Sequence, residues 1–261
     1  MSQIPPHERI TAAIRNAANT AGVALVPYIT AGYPDRAKFM ATLRAIAEVG
    51  DVIEVGVPFS DPMADGVTIQ RASHAAIAAG VSLRWILAEL KKAGELPAPV
   101  VLMSYLNPLL QFGFDKLAAA ALEAHVSGFI VPDLPLEESA ELNTQLDARG
   151  IALIHLVTPA TPEPRIKALC DASRGFVYAV TVKGITGGAR ALPAEVTGYL
   201  DRVKTLSRLP VCAGFGVRTP EQVRALSGHA DGVVIGSALV EELEAGHDPV
   251  VFLTALRSRR H

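Results

Sequence analysis

The stretch VIEVGVPFSDPMADG, residues 52–66, turns from a short, apolar, β-branched run into a loop rich in Gly, Pro and Asp. The run is of the kind that forms a strand buried on both faces. It nevertheless carries Glu54, a carboxylate where an unpaired charge costs several kcal/mol or is forced neutral. The loop ends with a second acid, Asp65. One acid on a rigid strand and another on the following loop make a plausible acid/base pair. Three carboxylates (Glu54, Asp61, Asp65) also suit a hard metal, and a structural acid paired with an Arg or Lys elsewhere is the plainer alternative.

The strand-then-loop pattern recurs along the chain. After an N-terminal helix over about residues 6–20, strands are expected to begin near Ala24, Val52, Val100, Gly128, Ala152, Phe176, Val211 and Gly232. Their spacing of about 30 residues is that of a βα unit. Between them lie helix patterns: Phe39, Leu43 and Ile46 recur at helical spacing behind Asp35, a good N-cap, and Thr219-Pro220-Glu221-Gln222 combines a Thr cap, Pro at the first position and Gln at the third. Residues 68–80 read as an extra helix ahead of one starting near Ser82. Eight units without a Pro/Ser-rich linker predict an α/β fold, one (β/α)8 barrel domain over residues 1–261 with extra helices at its N-terminus and in its loops. A doubly wound sheet is the alternative, weakened because no G-x-G-x-x-G follows the first strand.

The bulk numbers restrict function more than they define it. Of 261 residues half are apolar and 19% charged, which fits a globular protein, and the net charge of −2 gives no electrostatic case for nucleic acid or an anionic membrane. The start MSQIPPHERI lacks the apolar core of a signal peptide, and no apolar run reaches the roughly 18 residues of a membrane span. Cys170 and Cys212 lack metal-ligand spacing and are expected to be buried free thiols in a reducing cytoplasm.

In a barrel, chemistry gathers at the C-terminal strand ends. Three glycine-bearing loops follow the last three strands: KGITGGAR (183–190), AGFGVRTPE (213–221) and IGSALVEE (235–242). Gly236-Ser237 stands where the eighth strand turns into a helix, so backbone N–H groups at the positive end of the helix dipole would face an anion. Glycines in the other two loops allow close backbone approach to the same group. Together they predict a phosphate site, although each is also an ordinary structural turn.

These residues carry a resemblance. VIEVGVPFSDPMADG, with LVPYITAGYPD (25–35), VLMSYLNPLLQFG (101–113), VPDLPLEES (131–139), GITG (184–187) and AGFGVRTPEQV (213–223), resembles the tryptophan synthase alpha subunit family, in order from about residue 8 to about 256. The resemblance implies a (β/α)8 barrel that cleaves indole-3-glycerol phosphate to indole and glyceraldehyde 3-phosphate by a retro-aldol reaction without metal or cofactor. It implies that Glu54 is the acid/base group, that Asp65 holds the indole N–H, and that Tyr178 reaches the same site. Gly187, Gly216, Gly236 and Ser237 would contact the phosphate. Leu25, Tyr105 and Phe215 would line the indole pocket. Asp61 and Thr186 would serve loop closure and communication with a partner. That partner would be a pyridoxal-phosphate-dependent beta subunit in a cytoplasmic α2β2 complex.

Plainer readings stand beside these. Tyr178, expected on one strand face with Phe176 and Val180, suits core packing as well as catalysis, and Asp61 suits a solvated loop. Lys183, at the mouth of the sixth strand, raises a Schiff-base aldolase as a rival, though a lysine in a glycine-rich loop is ordinarily solvated. His155, inside the fifth strand, suits a packed histidine better than a catalytic one. Two further classes are an interaction protein that mainly activates a beta partner and a stand-alone lyase that releases indole freely.

Overall fold

A computed structural model of the chain describes residues 4–180, 193–214 and 216–257. Among these residues nine strand segments form one parallel sheet: β1 (Ala24–Thr30), β2 (Ile53–Gly56), β3 (Val100–Met103), β4 (Val126–Ile130), β5 (Ala152–Ile154), β6 (Leu156–Val157), β7 (Val177–Val180), β8 (Val211–Gly214) and β9 (Gly232–Ile235). Their order is β5-β4-β3-β2-β1-β9-β8-β7-β6. The two ends of that strip are consecutive in the chain, separated by His155 alone. The expected fifth strand is therefore one strand broken in two. Its first half pairs with β4 and its second with β7, and the His155 carbonyl accepts from Tyr178 N–H at 3.1 Å across the join. The fold is the (β/α)8 barrel, with its fifth position split.

Side chains on each strand alternate between two apolar compartments. Ala24, Val26, Tyr28, Val101, Ile154, Tyr178, Cys212 and Val234 fill the barrel interior. Leu25, Ile29, Ile53, Val55, Leu153 and Val233 face the helices outside. Both compartments are apolar, as a parallel sheet covered on both faces requires.

The N-terminal helix spans Pro6–Ala21, close to expectation, and opens on a proline that needs no N–H partner there. Its Ile10 and Ile14 join the interior cluster, while Thr11 Oγ1 donates to the Gly175 carbonyl at 2.7 Å, ahead of β7. The helix thus closes the N-terminal end of the barrel. Burying each isoleucine there contributes about 1.5–3 kcal/mol. The extra helix after β2 spans Val67–Ala78 and is followed by Leu83–Ala93, capped by Ser82. The capping box at Thr219 forms as expected. Asp35 does not cap the helix it precedes: that helix, Phe39–Ala47, starts after Lys38, and Asp35 Oδ1 instead accepts from Ala37 N–H in the preceding turn. Both cysteines are buried free thiols. No helix among the described residues is long and apolar enough to cross a membrane.

Candidate active site

Glu54 projects from β2 between Tyr28 of β1 and Val101 of β3, its partners in register. It is 1% exposed. No Arg or Lys pairs with it among the described residues, and its Oε2 has no hydrogen-bond partner there. Burial first, and the nearby charge of Asp65 second, push its pKa up to about 8. At neutral pH Glu54 is therefore an acid that holds its proton. The reading of a structural acid paired with a cation loses its support.

Asp65 ends the loop that follows β2, two residues before the helix Val67–Ala78. The loop is held from several sides. Phe59 N–H donates to Ser73 Oγ at 3.0 Å, Gln70 Nε2 donates to the Asp65 carbonyl at 2.8 Å, and Phe59 stacks on Tyr105 with ring centroids 4.9 Å apart. The Tyr105 hydroxyl accepts from Ala64 N–H at 2.8 Å and donates to Asp65 Oδ2 at 3.2 Å. Partial burial raises the Asp65 pKa, and the Tyr105 hydrogen bond works against that rise. Tyr105 itself begins the helix Leu106–Phe112, whose first N–H donates to Asp133 Oδ1 at 2.8 Å. The VPDLP segment thereby steadies the residue that steadies Asp65.

Glu54 and Asp65 share a cavity of about 250 Å³ with Tyr178, Gly216, Gly236 and Ser237; Ile69, Met103, Leu156 and Val234 supply apolar wall. One end holds the two acids and the other the N-terminus of the helix Ser237–Glu244. That end suits an anion and the apolar wall suits a flat hydrophobic group. Tyr178 is buried on the same face as Phe176, and burial followed by the charge of Glu54 drives its hydroxyl pKa well above the ordinary value. It is a neutral phenol at any working pH. Gly214 on β8 makes room for it, since a Cβ there would stand 2.7 Å from Tyr178 Cε1.

The helix Ser237–Glu244 is also tied to the helix Val67–Ala78, which follows the Asp65 loop. Glu241 accepts from Thr68 Oγ1 at 3.1 Å and from both terminal nitrogens of Arg218, while Glu244 takes a bidentate pair from Arg71 and a hydrogen bond from Tyr33.

Two expectations need correction. Leu25 does not line this cavity; it lies in the outer compartment against the helices, because strand alternation turns Tyr28 inward and Leu25 outward. Tyr105 is not among the lining side chains either, standing behind Asp65 as its hydrogen-bond partner. His155 is buried, and burial pushes its pKa down to about 4, with Arg165 adding to the effect. Its backbone lies at the strand break, where its N–H donates to Ser173 Oγ at 3.0 Å. Asp61 is exposed and accepts from Ser60 Oγ at 2.6 Å. Thr186, Gly187, Lys183 and Phe215 lie outside the described residues. Tyr28, which the sequence reading did not single out, lines the cavity as well. Its signal was the alternation Ala24, Val26, Tyr28 on β1. No group of three or more His, Cys, Asp or Glu among the described residues could hold a metal ion.

A family model described as the tryptophan synthase alpha chain matches residues 14–257. This chain belongs to the tryptophan synthase alpha chain family. It is accordingly a lyase that carries the alpha reaction of tryptophan biosynthesis. The alpha chain of Desulfovibrio desulfuricans is 49% identical over 242 residues, covering 91% of this chain and 95% of that protein. That of Nitratidesulfovibrio vulgaris is 44% identical over 253 residues, covering 96% and 98%. The crystal structure of tryptophan synthase subunit alpha from Legionella pneumophila superposes with a TM-score of 0.85 at 34% identity, covering 98% of each chain. A tryptophan synthase chain from M. tuberculosis in an open form gives 0.86 at 35% identity, covering 95% of this chain and 97% of that one.

Proposed function

We propose that this chain, acting as one barrel domain, cleaves indole-3-glycerol phosphate to indole and glyceraldehyde 3-phosphate, with Glu54 and Asp65 as its working pair. The observation that carries the reading is a fully buried glutamic acid, its pKa raised to about 8, in the same cavity as a second carboxylate and the N-terminus of the helix Ser237–Glu244. The phosphate sits on the backbone N–H groups at Gly236-Ser237, with Gly216 opposite, and Gly187 is assigned there from the family pattern. The indole ring lies along the apolar wall, with Phe215 assigned to its edge.

Indole C3 is a poor carbanion leaving group until protonated. Glu54 starts as the acid and gives its proton to C3, which forms the N–H-bearing indolenine cation. Its carboxylate, now charged in a dry site, takes the proton of the glycerol hydroxyl next to the ring. The electrons of that O–H bond form the aldehyde carbonyl as the carbon–carbon bond breaks into the indolenine sink. Asp65 accepts from the indole N–H and stabilises the positive charge that develops there. Tyr178, a neutral phenol beside Glu54, is assigned to the same reacting end. By its likeness to the family, the reaction needs no metal or organic cofactor in this chain.

Indole then passes to a pyridoxal-phosphate-dependent beta subunit in a cytoplasmic α2β2 complex, with Asp61 and Thr186 on the loops that close and communicate. Indole release from indole-3-glycerol phosphate, measured with this chain alone and with a beta subunit added, tests the reading. Slow release that rises sharply with the partner is the expected result. Fast release indifferent to the partner would make this a free-standing lyase, and no release in either case would refute the assignment.

A further inference from the structure

Tyr28 on β1 occupies the space between the two ends of the cavity. A Cβ placed on Gly236, at the head of the helix Ser237–Glu244, would stand 3.8 Å from its Cδ1. At the far end of the ring, a Cβ placed on Gly56 would stand 2.1 Å from its hydroxyl and 2.6 Å from Cζ. Gly56 lies two residues beyond Glu54 on the same strand face. The phenol therefore runs from the anion end to the strand that carries the acid, and β2 gives up a side chain to let it reach there. Its hydroxyl pairs with Thr30 Oγ1 at 3.3 Å, long for an O–H···O bond. It also lies within the electrostatic reach of both Asp65 and Glu54.

In the proposed reading, on which this inference rests, the phosphate is held at one end of the cavity and the indole acids work at the other. The part of the substrate that must pass Tyr28 is the three-carbon linker with its hydroxyl groups. We infer that Tyr28 is a substrate-contacting residue whose hydroxyl leaves Thr30 and donates to a glycerol hydroxyl, so that the site selects a hydroxylated linker over a bare alkyl chain. An aromatic ring alone would supply the wall. The hydroxyl, the atom that comes nearest to Gly56, supplies the discrimination.

Tyr28→Phe keeps the ring and removes the donor. The variant should lose about five- to tenfold in kcat/KM for indole-3-glycerol phosphate, the effect of one neutral hydrogen bond. Its affinity for an indole carrying a three-carbon phosphate chain without hydroxyls, measured by calorimetry, should stay within twofold of the unaltered chain. This binding measurement also shows that the variant is folded. A kcat/KM within twofold for the glycerol substrate would overturn the inference, as would an equal loss for both ligands, which would assign the effect to ring position. Indole release by the unaltered chain is the separate check: normal release with an unaffected variant overturns the role of Tyr28 alone, whereas no release overturns the parent reading and this one with it.

Discussion

Replacing Glu54 by glutamine should separate the stability of this protein from its activity in a pH-dependent way. In the unfolded chain Glu54 loses its proton near 4.5, whereas in the folded barrel it holds the proton to about 8. Between those values the folded state binds more protons, so stability falls as pH rises through that window. At about 1.4 kcal/mol per pH unit, burial of this one group costs on the order of 3 kcal/mol at pH 7 and about 4–5 kcal/mol above pH 8. Glutamine does not titrate and escapes that term. It brings its own pH-independent penalty of about 1–3 kcal/mol for a buried amide without full hydrogen bonding. The informative quantity is therefore the difference in unfolding free energy between the two proteins, followed by urea titration at pH 5, 7 and 8.5. That difference should move in favour of Glu54→Gln by several kcal/mol across the series, with most of the movement complete by pH 8. In thermal scans this corresponds to a relative shift on the order of 10 °C. Indole release by the variant should fall by at least about 10²–10⁴-fold at every pH. Parallel stability curves would refute the claim that Glu54 is buried with its proton, and near-normal turnover would refute its role as acid.

Three further outcomes follow from the same site. Asp65→Asn should lower kcat by about 10²–10³-fold, and because the Asp65 charge helps to raise the Glu54 pKa, the alkaline limb of the residual kcat/KM profile should move to lower pH; an unmoved limb would uncouple the two acids. Tyr105→Phe removes the hydrogen bond that opposes the rise in Asp65 pKa, so the acid limb, where Asp65 must stay ionised, should move to higher pH, with a stability loss of about 1 kcal/mol from the unpaired Ala64 N–H. Equilibrium unfolding and the pH profile check the two halves of that statement. Gly56→Ala should destabilise the barrel by about 1–3 kcal/mol through overpacking and abolish turnover by displacing the Tyr28 phenol; full activity in that variant would mean that the ring can move aside at no cost.

Much of the barrel was legible because its signals are local. The helix starts at Ser82 and Thr219 are written in capping chemistry, and the eight strand positions in short apolar runs between helical patterns. Glu54 stood out because a carboxylate in such a run contradicts its surroundings. What failed to show was the direction in which a strand residue points. Every residue of β1 is buried, so hydrophobicity cannot distinguish Leu25, which faces the helices, from Tyr28, which faces the cavity; only the register with Glu54 does so. The break at His155 was equally hidden, since Ala152–Val157 is apolar on both sides of it and the interruption arises from how neighbouring strands divide the pairing. Asp35 had the chemistry of a cap, but its carboxylate is used one turn earlier than the helix.

That break gives the enzyme a seam. The barrel is a ribbon of strands closed where the broken fifth strand passes from its pairing with β4 to its pairing with β7, and the opposite boundary between the two halves of the chain is the pairing of β1 with β9. The first half brings Tyr28, Glu54 and Asp65; the second brings Tyr178, Gly216, Gly236 and Ser237. In the proposed reaction the indole end of the substrate is thus read mainly by one half-barrel and the phosphate end by the other. A bound substrate is a strut between the halves, and any opening along the seam that parts them also parts the acid from the anion hold.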